Sequence, residues 1–240
     1  MKEEPKYIHN TLISEIQYDE NDQLFHMFRE IAYDVDWDNL SDEDNEALLR
    51  GVTTSHQGKQ VALPLHQTLT KNSVYEKNEK WNEHREDIDE QLEMMGNKVW
   101  KFYEDIGRGP DTPRFDLLLS GFWINRLTEG DYNHLHNHNN ATISGVYYVE
   151  VPDVIKDADY MSNKFPDGYL CLLGNSIGMV ERNIIGDNNY YLKPKEGLMI
   201  LFPASVPHMV YPFKGPGTRI AIAFNLSLVV ADKYYSYKTF

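Results

Sequence analysis

The chain has 240 residues, 41% of them apolar and 25% charged, with a formal net charge of −14 and a pI near 5.0. Such a composition is that of an ordinary globular protein and excludes the disordered, collagen-like and coiled-coil classes. The acidic excess argues against binding along a nucleic-acid backbone, which is driven by clustered Lys and Arg, although an enzyme acting on a nucleobase stays open. At ~100–200 residues per domain, the length allows one large domain or two small ones, enough for a core without covalent staples. The lone cysteine, Cys171, cannot form an internal disulfide. No apolar run approaches the ~20 residues of a membrane span. The start, Met1 to Pro5, lacks the apolar stretch of a signal peptide. The expected compartment is the cytoplasm.

The pattern changes near residue 112. Before it the periodicity is helical: Leu24, Phe25, Phe28 and Ile31 share one helix face. The acidic run from Asp34 to Glu46 reads as a solvated face, with Ser41 a candidate cap for a short helix ending near Gly51. Ile88, Leu92, Met95, Val99, Phe102 and Ile106 form one continuous apolar stripe, predicting a helix over 83–106 that packs on a sheet and stops at Gly107. Gly96 interrupts that stripe and should weaken the helix by roughly 1 kcal/mol relative to Ala.

After Pro113 short runs rich in β-branched and aromatic residues predict strands at 115–127, 143–151, 169–173, 189–192, 198–202, 208–211 and 219–230. Between them stand turn signals such as Asn139-Asn140, Pro166-Asp167-Gly168 and Gly215-Pro216-Gly217. Short strands at this spacing point to a sandwich, barrel or jelly roll. The expectation is a mainly β single domain spanning 1–240, with 1–112 as a helical buttress and 113–232 as the β core.

The chemistry concentrates in four histidines. His134, His136 and His138 recur at a period of two, so in an extended strand all three imidazoles project from one face. Neutral imidazoles so spaced can occupy adjacent positions on one metal ion. A further ligand must come from elsewhere, and the other histidine of this half is His208. His9, His26, His56, His66 and His84 are scattered through the N-terminal half and read as surface or core residues. The strand opened by Arg219 places Ile220, Ile222 and Phe224 on one face and Arg219, Ala221, Ala223 and Asn225 on the other. Two alanines, an amide and a guanidinium suit a pocket wall better than a filled core, because the alanines leave volume and the guanidinium can grip a carboxylate with two hydrogen bonds.

His-x-His, then Ser144-Gly145-Val146-Tyr147-Tyr148-Val149, a Phe-Pro strand, the late His208 and Arg219 leading to Phe224-Asn225 resemble the iron(II)/2-oxoglutarate-dependent oxygenases of bacteria and their viruses. These are distant relatives of the prolyl hydroxylases. The likeness runs from about Trp123 to Asn225, including Trp123-Ile124-Asn125 and Gly130. It implies a double-stranded β-helix (a jelly roll) carrying iron(II), with 2-oxoglutarate and dioxygen as cosubstrates in the hydroxylation of an unidentified substrate. By the same likeness His136 and His208 would be iron ligands and Arg219 would hold the distal carboxylate of 2-oxoglutarate. Tyr148 falls where the prolyl hydroxylases have a tyrosine assisting that arginine. Trp123, Asn125 and Asn225 are candidate pocket residues.

One departure stands out. The wider superfamily has His-x-Asp or His-x-Glu where this chain has His136-x-His138. Either His138 replaces the carboxylate, or His134 or a distant Asp or Glu completes the site. The spacing of His138 to Ser144 favours His138. Two other functions compete: a three-histidine dioxygenase that uses no 2-oxoglutarate, and a non-catalytic jelly-roll binding or assembly module. Arg219 counts against the former, which needs no carboxylate clamp.

Overall fold

The computed structural model describes residues 2–8, 11–38, 58–62, 78–107, 115–157, 167–174 and 189–230. In chain order its strands are β1 (Lys2–Ile8), β2 (Thr11–Gln17), β3 (Lys59–Ala62), β4 (Phe115–Leu127), β5 (Asn133–His136), β6 (Ile143–Glu150), β7 (Leu170–Leu173), β8 (Asn189–Leu192), β9 (Leu198–Pro203), β10 (His208–Val210) and β11 (Arg219–Val230). The helices are α1 (Gln23–Tyr33), α2 (Glu79–Gly107) and the short α3 (Asp153–Lys156). A seven-stranded sheet has the order β1-β2-β9-β6-β11-β4-β3, and a four-stranded sheet has the order β5-β10-β7-β8. Pairing within both is antiparallel. This is the expected double-stranded β-helix.

The middle strands of the larger sheet are covered on both faces, and β11 shows why its alternation matters. Ile220, Ile222, Phe224 and Leu226 pack against the helices, meeting Phe28 and Ile31 of α1 and Ile88 and Leu92 of α2. Ala221 faces the other way, into a core between the sheets that holds Tyr148, Leu170, Leu172 and Val210. Each fully buried large apolar side chain contributes roughly 1.5–3 kcal/mol.

Helix α2 begins where Asn78 caps it: the side-chain oxygen accepts from Trp81 N at 2.7 Å, and its amide donates to Ile31 O at 3.0 Å. One asparagine thus starts α2 and ties it to α1. The predicted stripe is buried at Ile88, Leu92, Met95 and Val99. Gly96 has a packing reason, since a Cβ there would stand 2.3 Å from the Leu226 side chain. The missing side chain lets the helix approach β11.

The N-terminal part is more than the helical buttress the sequence predicts. Strands β1, β2 and β3 extend the larger sheet at its two edges, with β2 on β9 and β3 on β4. The candidate Ser41 helix lies outside the described residues.

Candidate active site

Sheet pairing brings the histidines together. In the β5–β10 ladder His136 lies directly opposite His208, with ring centroids 4.2 Å apart. The strand ends at His136, short of the extended run to His138 that the period of two predicts. His138 reaches the site from the following loop, which is stitched to the turn before β10: His138 N donates to Ala204 O at 2.9 Å, and Ala204 N to Thr142 O at 3.0 Å. Its ring lies 5.1 Å from both His136 and His208. The candidate ligand nitrogens of the three all lie within 4.8 Å of one another. His134 is exposed and stands apart from this group, its ring edge-on to Tyr132 at 4.6 Å.

Two backbone contacts fix the tautomers. His136 Nδ1 lies 2.6 Å from the His134 carbonyl, and His208 Nδ1 lies 2.9 Å from the Val206 carbonyl. A carbonyl only accepts, so both Nδ1 atoms carry hydrogen and both Nε2 lone pairs are left to ligate. Burial, reinforced by the neighbouring His136, pushes His208 down to about 3 and His138 down to about 4. Both are therefore neutral near pH 7, the form that binds metal. Nitrogens ~2.0–2.1 Å from one ion stand about 3.0–3.4 Å apart in adjacent positions, so the rings must draw in by up to about 1.5–2 Å to share one ion. The donors fit a divalent transition metal.

The second element is Arg219, at the start of β11. It is 1% exposed, and among the described residues it pairs with no carboxylate. Neither its Nε nor the Tyr148 hydroxyl has a hydrogen-bond partner. The guanidinium lies over the Tyr148 ring, 4.9 Å from its centroid. Burial raises the Tyr148 pKa, and the adjacent Arg219 only partly opposes this. A buried cation and a buried hydroxyl left open in one place make a receptor for an anionic oxygen.

His136, His138, His208 and Arg219 line one pocket. Ala221 and Ala223 form the expected wall, and Trp123 and Asn125 of β4 line the pocket beside them. Asn225 sits on the same face of β11 but outside the lining, where its side-chain oxygen accepts from Ser144 Oγ at 2.8 Å. Of the two neighbouring tyrosines, Tyr148 faces Arg219 while Tyr147 enters the helix-side core against Phe28 at 4.8 Å. Among the other described histidines, His26 contacts the Glu20 carbonyl and His84 the Glu30 carboxylate. His9, His56 and His66 lie outside the described residues. Sequence reasoning missed Asn133, Leu170, Phe202 and Val210, which also line the pocket. Asn133 is opposite Val210 because the β5–β10 register shifts between His208 and Val210, an irregularity that no residue spacing announces.

A jelly roll with clustered neutral imidazoles at a pocket can hold a divalent transition metal. Residues 121–225 match the family described as "Putative 2OG-Fe(II) oxygenase", a family of oxidoreductases that use iron(II), 2-oxoglutarate and dioxygen. No curated protein matches the chain in sequence. Among solved structures it is similar to a Pseudomonas putida prolyl-4-hydroxylase, at 11% identity and a TM-score of 0.47, over 89% of this chain and 91% of that one. It is also similar to HygX from Streptomyces hygroscopicus with nickel and 2-oxoglutarate bound, at 12% identity and a TM-score of 0.47, over 90% of this chain and 82% of that one.

Proposed function

We propose that His136, His138 and His208 hold one iron(II), that Arg219 with Tyr148 receives the distal carboxylate of 2-oxoglutarate, and that the enzyme hydroxylates a C–H bond of its substrate. One observation carries the reading: the same pocket contains three imidazoles with ligand atoms within 4.8 Å and a buried guanidinium that pairs with no carboxylate among the described residues. When bound, iron(II) and 2-oxoglutarate supply, with dioxygen, the oxidising power for hydroxylation, and the cosubstrate leaves as succinate and carbon dioxide.

The protein's own groups orient and shield. The His134 and Val206 carbonyls hold the His136 and His208 rings by their Nδ1 hydrogens. Arg219 would offer a planar pair of donors to the far carboxylate, and the Tyr148 hydroxyl beside it, which does not line the pocket, would add a third. Trp123, Leu170 and Phe202 keep the pocket largely apolar around these groups. Asn125 is a polar group of the same wall, while Asn225 acts at one remove by fixing Ser144. A three-histidine dioxygenase that uses no 2-oxoglutarate would have no use for Arg219 in this position.

In this reading the chain works as a single domain, with 113–232 as its catalytic core, in the cytoplasm. No described helix is long and apolar enough to cross a membrane. The test is anaerobic addition of iron(II) and then 2-oxoglutarate to the protein. A weak visible charge-transfer band should appear with both present and with neither alone. Its absence at saturating concentrations of both contradicts the proposed site.

A further inference from the structure

The charge balance of the pocket bears on the substrate. Arg219 lines it, and among the described residues no Asp or Glu does. In the two-histidine, one-carboxylate arrangement the protein gives the divalent ion one negative charge; at the corresponding place here stands neutral His138. A divalent ion and Arg219 bring three positive charges, and 2-oxoglutarate brings two negative ones. One positive charge is left over. It lies among Trp123, Leu170, Phe202 and Val210, where an uncompensated charge is costly because little water can solvate it.

A hydrogen-bond donor stands in the same pocket. Asn125 is 5% exposed and lines the pocket, and its amide can donate to an oxyanion there. The chain's net charge of −14 repels anions at a distance, so any preference for them must come from the pocket itself. We propose that the substrate presents a compact, singly charged oxyanion of the carboxylate class beside the metal, with Asn125 donating to it. This inference rests on the oxygenase reading of the site.

Formate and formamide are nearly equal in size and differ by one charge, so they isolate the effect. Cobalt(II)-loaded protein saturated with 2-oxoglutarate is titrated with each, following the visible bands of cobalt and the retention of 2-oxoglutarate. Formate should bind at least about 10-fold more tightly than formamide, a difference of about 1.4 kcal/mol. His138→Asp, which restores the missing negative charge, should weaken formate at least about 10-fold and leave formamide unchanged. Equal binding of the two probes by the wild-type protein overturns the proposal, as does formate binding that expels 2-oxoglutarate. So does a His138→Asp variant that keeps cobalt and still binds formate as tightly as wild type. If that variant loses cobalt, the comparison of the two probes on wild type still decides. If cobalt or 2-oxoglutarate fails to bind wild type at all, the oxygenase reading falls and this inference falls with it.

Discussion

Replacing Arg219 should separate ligand binding from folding. In the free protein its guanidinium is 1% exposed and faces no described carboxylate, so its burial opposes folding. The Tyr148 ring at 4.9 Å returns about 1–2 kcal/mol as a cation–π contact, less than the several kcal/mol that desolvating an unpaired ion costs. Arg219→Met keeps an unbranched apolar stem and removes the ion. The ligand-free variant should match wild type or exceed it by up to about 3 kcal/mol, a rise in Tm of up to roughly 6–12 °C for a chain of this size. Binding of 2-oxoglutarate should weaken by about 2–5 kcal/mol, or ~30-fold to several thousand-fold in Kd. Iron affinity without cosubstrate should hardly change. Thermal unfolding with and without 2-oxoglutarate, together with anaerobic calorimetric titration, measures all three. A variant that unfolds well below wild type yet binds 2-oxoglutarate normally would refute the reasoning and make Arg219 a structural ion.

Iron competition titrations should show His136→Ala, His138→Ala and His208→Ala each losing at least about 100-fold in affinity, with His134→Ala within ~3-fold of wild type; an equal loss in His134→Ala would put a different residue at the metal. Acid should destabilise the metal-free protein through the buried imidazoles. Unfolded histidine takes up a proton near pH 6.5, whereas folded His138 does so at about 4 and His208 at about 3. The unfolded state therefore binds more protons between these limits, so stability is intact above pH 6.5 and falls as the pH drops, by up to about 1.4 kcal/mol per pH unit from each group. His208→Gln should flatten that slope in denaturant titrations between pH 6.5 and 4, and an unchanged slope would exclude His208 as a source. Gly145→Ala would put a Cβ 2.1–2.6 Å from the Phe224 ring and should cost about 1–3 kcal/mol. Adding Phe224→Leu should recover part of that loss, and a neutral Gly145→Ala would contradict this packing.

Apart from the four-residue β5, which is not among the predicted strands, the strands from Phe115 onward were legible because each carries its own pattern and is bounded by turn residues. Strand β2 was not. Ile13 enters the core between the sheets while Ile16 enters the core under the helices, so a strand buried on both faces shows no simple alternation. Strand β3 is four residues long and pairs with β4, too short to leave a periodic trace. Gly96 illustrates the converse: composition marks it as a weak point in α2, whereas Leu226 makes it a point of contact. In the site, His136, His208 and Arg219 stood out because their chemistry restricts the residue types allowed. The placement of His138 depends on a loop held by the Ala204 carbonyl, and that of Asn133 on a register shift. Those are tertiary facts; the period of two alone could not distinguish His138 from His134, and only the family-like distance from His138 to Ser144 favoured His138.

The most direct test of the central claim is the iron dependence of 2-oxoglutarate turnover. Purified protein with iron(II), 2-oxoglutarate and dioxygen should slowly release succinate even without its substrate. That release should disappear when iron is chelated, and it should be lost in His208→Ala and Arg219→Met. Succinate formation at the rate of the protein-free control, with iron and 2-oxoglutarate both bound, would contradict the account.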